Sequence, residues 1–291
     1  MLALKLVRSV AATPFALLRP RFSAHPHIAI ASALLSGLRQ YTIALNPQRL
    51  SDINGLLPPN FHQNYRVTGW LGAGAWSEVY EVMDNESKSK LALKLIPKDN
   101  LPGGSDSFEA SYGPYLHHPH LISYGRCFET SSHLAVTMPV FGEPLASEIQ
   151  SKGYPDRPTA LGYLVQVADA LCYLHQKGVS HGDVSISNIN VDGANAVLLD
   201  LMESSPFRSS SGGVLDGCAD ELSHDILCLG RIAAELLVVR SELHGDRSEI
   251  RAAVQGCRDA VKEHAELVLY LCSEPAPSAS QALARLKALA A

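Results

Sequence analysis

The stretch HGDVSISNINV, His181 to Val191, sets Asp183 and Asn188 five residues apart in a loop that follows a helical pattern. A carboxylate at Asp183 can accept the proton of an attacking hydroxyl and aim it. An amide at Asn188 offers oxygen to magnesium, a hard cation that prefers such ligands. Seventeen residues past Asp183, the segment LLDLM places Asp200 at the end of an apolar strand, where it can hold the same kind of ion. Any one of these could be an ordinary loop cap. Together they form a set of oxygen donors suited to handling phosphate groups.

Further toward the N-terminus, LGAGAWSEVY (Leu71–Tyr80) puts Gly72 and Gly74 between two apolar strand segments, with Val79 on the second. Glycines there let backbone N–H groups approach phosphate oxygens, although hairpins also carry them for turn geometry alone. LALKLI then places Lys94 within an apolar strand. Burying an ammonium there is unfavourable without a partner, and phosphate or a carboxylate would serve; the alternative is a solvated strand face. Glu109, fifteen residues on and ten before Pro119 in LHHPHLISYG, is a candidate carboxylate, the alternative being an exposed helix residue.

The periodicity gives an α+β chain. Strand patterns run from Tyr65 to Pro97, with Leu91, Leu93 and Leu95 in strict alternation, and again from Leu121 to Val140. Helical spacing follows over Thr159–Gln176, closed by Gly178, over Ser223–Val239 and over Ser278–Leu289. Strands first and helices second predict two lobes, the first β-rich and the second helical.

From Tyr65 to Leu289 the chain resembles a protein-kinase catalytic domain, through the glycine loop, Lys94, HGDVSISN, LLDLM and SHDILCLGRIAAELL. The resemblance implies an N-lobe over 65–138 and a C-lobe over 139–291. It implies a Lys94–Glu109 ion pair, Asp183 as catalytic base and Asn188 and Asp200 as ligands of magnesium or manganese. Gly72, Gly74, Val79, Lys94, Met138 and Val140 would bind ATP, with a hinge near Met138–Phe141 and Thr137 gating the pocket behind it. Asp225 would bond the catalytic-loop backbone. The activity implied is transfer of the ATP γ-phosphate to a serine or threonine of a protein substrate.

The sequence departs from that pattern at four places. Gly182 stands where the family has an arginine that reads an activation-loop phosphate, so such switching is not expected. Ser185 replaces a lysine that steadies the γ-phosphate, and Met202 replaces the glycine two residues past the metal aspartate. Only twenty-five residues separate Asp200 from Asp225, which shortens the platform for a peptide, and the serine- and glycine-bearing stretch from Pro206 to Gly217 is expected to be a mobile loop. Two alternatives follow. One is a nucleotide-binding pseudokinase or scaffold. The other is a small-molecule kinase, because HGD followed by Asn188 also resembles aminoglycoside and choline phosphotransferases.

The formal charge of -5 and pI near 6.2 do not point to nucleic acid or an anionic membrane as partner. Six cysteines without a CxxC pair read as reduced, buried thiols of an intracellular protein. No apolar run of eighteen residues occurs, so no integral membrane segment is expected. Residues 1–50 carry six basic residues and no acid. That is the composition of a mitochondrial transit peptide, against a disordered tail on a cytoplasmic protein. Residues 51–64, rich in proline and glycine, read as a linker.

Overall fold

The computed structural model describes residues 44–74, 76–101, 108–201, 203–206 and 218–291. The expectations for the N-terminal 43 residues, for Met202 and for the loop before Cys218 lie outside the described residues.

The stretch read as a linker is helical. Helix α1 (Pro47–Leu56) begins at Asn46, whose side chain accepts the Arg49 N–H at 2.8 Å, and α2 (Pro59–Asn64) follows at once. Pro47 and Pro59 each stand in the first turn, where a missing N–H removes no helical bond and the fixed φ favours the helix. Read as breakers, these prolines are starters.

Strands β1 (Tyr65–Ala73), β2 (Glu78–Asp84), β3 (Lys90–Pro97), β4 (Cys127–Glu129) and β5 (His133–Pro139) form one antiparallel sheet in the order β1-β2-β3-β5-β4. Its two faces divide as alternation requires. Tyr80, Val82, Leu93 and Leu95 pack outward with Ile53 and Leu57 of α1 and Phe61 of α2. Ala92 and Met138 face the other way and join the core shared with the second lobe. The leucine alternation read in the sequence is therefore the face that α1 and α2 cover. A short helix α3 (Phe108–Ser111) lies between β3 and β4.

The second lobe is helical. After β6 (Glu143–Pro144) and α4 (Leu145–Lys152), helix α5 (Arg157–Gln176) is capped by Asp156, which accepts the Thr159 N–H at 2.8 Å. It ends before Gly178, at φ +81°, the left-handed geometry that glycine supplies without strain. Strand β7 (Val179–Ser180) leads to the loop carrying Asp183. Strands β8 (Ile189–Asp192) and β9 (Asn195–Leu198) then form a hairpin that runs into Asp200. Strand β10 (Ser205–Pro206) pairs with β7. Helix α6 (Cys218–Ala233) buries Ile226, Leu229 and Ile232 and passes into a wider π turn, Ala234–Val239, where one continuous helix was expected. Helices α7 (Arg247–Gly256), α8 (Lys262–Leu271) and α9 (Ala279–Ala290) complete the lobe; Ser278 caps α9 in a reciprocal bond with Gln281.

The two lobes are stitched beside the cleft. The Ile122 N–H donates to the Leu198 carbonyl at 2.9 Å, and the Leu198 N–H donates to the His120 carbonyl at 2.9 Å. Among the described residues no helix is long and apolar enough to cross a membrane. Of the described cysteines, Cys172, Cys228 and Cys272 are buried thiols, whereas Cys127 is exposed.

Candidate active site

Lys94 is central to β3, with Val79 of β2 on one side and Val136 of β5 on the other. It is only 5% exposed, yet its ammonium lies 2.7 Å from an Asp200 carboxylate oxygen. Residues 106 apart in sequence are thus joined across the cleft. The solvated-strand alternative for Lys94 is excluded by this burial. Glu109 falls in α3, and its side chain, with the pairing expected of it, lies outside the described residues.

Asp200 takes a left-handed backbone, φ +68°. For a non-glycine residue such a conformation is held only when its surroundings fix it. The next residue shows how: Leu201 is fully buried, and its N–H donates to the Tyr124 hydroxyl at 3.2 Å. Tyr124 carried no signal in the sequence, because it contributes a hydroxyl from the first lobe rather than a motif.

The loop bearing Asp183 is built around a buried carboxylate. Asp225 of α6 is fully buried, and its two oxygens accept the His181 N–H at 2.8 Å and the Gly182 N–H at 2.9 Å. The His175 ring nitrogen bonds it at 2.8 Å. Burial alone would raise this carboxyl. The bonds from His175 and from the two amides outweigh burial and hold it below its ordinary value of 3.8. The role expected of Asp225 is the one the geometry gives it. His181 bonds the Leu199 carbonyl through Nε2 at 3.0 Å and accepts the Asp183 N–H through Nδ1 at 3.2 Å, tying this loop to the strand before Asp200.

Gly182 has φ +86°, and a Cβ there would lie 2.5 Å from the Glu203 carbonyl oxygen. The position admits glycine and no larger residue without rearrangement, which accounts for the departure at this site in steric terms. Glu203 itself was not singled out in the sequence. Partial burial first, then the neighbouring Asp183 and Asp200 carboxylates, push its carboxyl above the usual range.

Asn188 closes a 3-10 turn, Ile186–Asn188, and its amide nitrogen donates to the Asp183 carboxylate at 2.7 Å and to the Asp183 carbonyl at 2.9 Å. That orientation leaves the amide oxygen as the atom available to a cation. Among the described residues no group of three histidine, cysteine or acidic side chains could hold a metal by itself. A site of two protein oxygens, Asn188 and Asp200, completed by phosphate oxygens and water, is how magnesium is ordinarily bound beside a nucleotide.

The glycine loop spans the turn between β1 and β2. The Gly74 N–H donates to the Ser77 carbonyl at 2.8 Å, and the Asn100 amide nitrogen donates to the Trp76 carbonyl at 3.1 Å. A Cβ at Gly74 would meet nothing nearer than 3.9 Å, and its φ is not left-handed. Among the described residues nothing sterically requires glycine at that position.

One expectation is displaced by a residue. Thr137 pairs with Leu93, on the face toward α1 and α2, and its hydroxyl is engaged by the Arg126 backbone at 2.8 and 3.2 Å. Met138 pairs with Ala92 and so shares the face of Lys94. Strand alternation makes any one-residue offset a change of face, so Met138 rather than Thr137 borders the inner pocket. Val140, half exposed, and Phe141 follow as the connection between the lobes.

A β-sheet lobe and a helical lobe meeting at a buried lysine and a loop carboxylate define a protein-kinase-like fold, and the chain carries a divergent domain of this kind. Residues 65–209 match the protein kinase domain family model. Calcium/calmodulin-dependent protein kinase type 1B of Rattus norvegicus is 32% identical over 128 residues, 43% of this chain and 37% of that protein. Serine/threonine-protein kinase DCLK3 of Mus musculus is 25% identical over 141 residues, 47% of this chain and 18% of that protein. The matched stretches thus span less than half the length of these relatives. A solved structure of Rad53 1–466 in complex with AMP-PNP aligns with a TM-score of 0.64, covering 77% of this chain and 65% of that one at 17% identity, a likeness of fold.

Proposed function

We propose that the cleft binds ATP with a divalent cation and transfers the γ-phosphate to a hydroxyl, the acceptor being a serine or threonine of a protein. The observation that carries this reading is the Lys94–Asp200 contact at 2.7 Å, set opposite the Asp183–Asn188 pair bonded at 2.7 Å. The serine/threonine assignment is supported by the likeness to serine/threonine-protein kinase DCLK3.

Each residue has a physical task. Val79, Met138 and Val140 supply apolar surface for the purine. Gly72 and Gly74, without side chains, let phosphates come close to the backbone of the loop. Lys94, itself buried, places a positive charge against them, where it acts more strongly than in open water. Asp183 accepts the hydroxyl proton and aims the oxygen, with Asn188 fixing its carboxylate. A magnesium ion, when bound between Asn188 and Asp200, would offset the charge on the transferring phosphates.

Isothermal titration of the full chain with ATP and magnesium tests this. Asp200→Asn is expected to weaken magnesium-dependent ATP binding about ten-fold or more, as loss of a charge-assisted ligand does. Unchanged affinity would mean that the cation and phosphates sit elsewhere.

A further inference from the structure

The face of the sheet remote from the cleft carries a polar cluster that the proposed chemistry does not use. Arg49 of α1 places one guanidinium nitrogen 2.5 Å from a Glu78 carboxylate oxygen and 3.2 Å from the Tyr80 hydroxyl. That hydroxyl donates to the second Glu78 oxygen. Both oxygens of Glu78 are thus engaged. Tyr80 is fully buried. Burial first, then its bond to Glu78, push its hydroxyl well above the ordinary range, so it stays a donor. Glu78 opposes Ala73 in the last rung of the β1–β2 ladder before the glycine loop. The cluster therefore grips the foot of that loop, while Asn100 holds the Trp76 carbonyl within it.

We infer that Arg49 is a positioning residue for the phosphate-binding loop, and that α1 sets the loop's geometry through it. The inference rests on the reading of the cleft as an ATP site. Arg49 and Glu78 both keep about two-fifths or more of their side-chain surface in solvent. An ion pair so exposed adds little to overall stability. Its consequence is local: a loop already held in place loses less freedom when phosphates bind.

The test compares the full chain with Arg49→Met, which keeps much of the stem without the charge, and with Arg49→Lys. Hydrogen exchange without nucleotide should quicken at the Gly74, Ser77 and Glu78 amides in Arg49→Met and stay unchanged in the helical lobe. ATP affinity should fall about three- to ten-fold, a loss of preorganisation, while adenosine affinity holds, because only the phosphates meet the loop. Arg49→Lys should fall between. Unchanged exchange, or faster exchange with an unchanged ratio of ATP to adenosine affinity, would overturn the inference. A wild-type chain that binds neither ligand would instead remove the ATP reading, and the exchange arm would still decide whether the tether exists. Should Arg49→Met fail to fold, Tyr80→Phe removes two bonds of the same cluster, those to Arg49 and to Glu78, and is read in the same way.

Discussion

Asp225 shows how one buried charge can set a distant geometry. Its carboxylate fixes two successive amides, at His181 and Gly182, and the residue that follows them is Asp183. Because its folded pKa lies below 3.8, its contribution to stability is present above that value and is lost as pH falls through the folded pKa. Asp225→Asn removes the charge and turns an amide donor toward an N–H, which should cost about 2–3 kcal/mol at neutral pH. Chemical denaturation should show that gap narrowing as pH falls below about 4, where the carboxyl of the unfolded chain takes up a proton, and closing as pH falls through the lower folded pKa. A gap independent of pH would mean that the carboxylate's charge plays no part. At this scale much of the site was legible in the sequence, since Lys94, Asp183, Asn188, Asp200 and Asp225 are each the polar residue in an apolar or loop setting. Tyr124 and Glu203 were not, because their contributions arise from chain segments brought together only by folding. Thr137 and Met138 were confused because adjacent strand residues differ in face and not in pattern.

At the scale of elements, α1 and α2 cover the outer face of the β-rich lobe. Phe61 is fully buried between Tyr65 and Phe128, with ring centroids 5.4 and 5.2 Å away and the Phe128 contact edge-to-face. Phe61→Ala should destabilise the protein by about 3–5 kcal/mol, as large aromatic truncations in a core do. Thermal or denaturant unfolding would measure it, and a loss under about 1 kcal/mol would show that the helical cover is dispensable. The outward leucines Leu93 and Leu95 announced a covered face, but the proline-rich stretch before Tyr65 concealed what covers it. Prolines read as interruptions wherever the helix start is not known in advance. The long helices of the second lobe were easier, because apolar spacing in α5 and α6 persists over several turns and end signals such as Gly178 are local.

At the scale of the molecule, an alternating sheet and a helical lobe meet along a cleft that Lys94 and Asp200 bridge, with Asp183 on the helical side. The departures from the family pattern, at Gly182, Ser185, Met202 and the short span between Asp200 and Asp225, leave Lys94, Asp183, Asn188 and Asp200 in place. The central claim is that this cleft moves a phosphoryl group. It is tested most directly by following label from γ-labelled ATP, with magnesium, onto the chain itself and onto a basic protein such as histone or myelin basic protein, in wild type and in Asp183→Asn. The account predicts transfer by the wild type and a fall of about a hundred-fold or more in the variant, the share that a positioned base contributes. ATP binding by the wild type without any transfer, or transfer undiminished in Asp183→Asn, would contradict it.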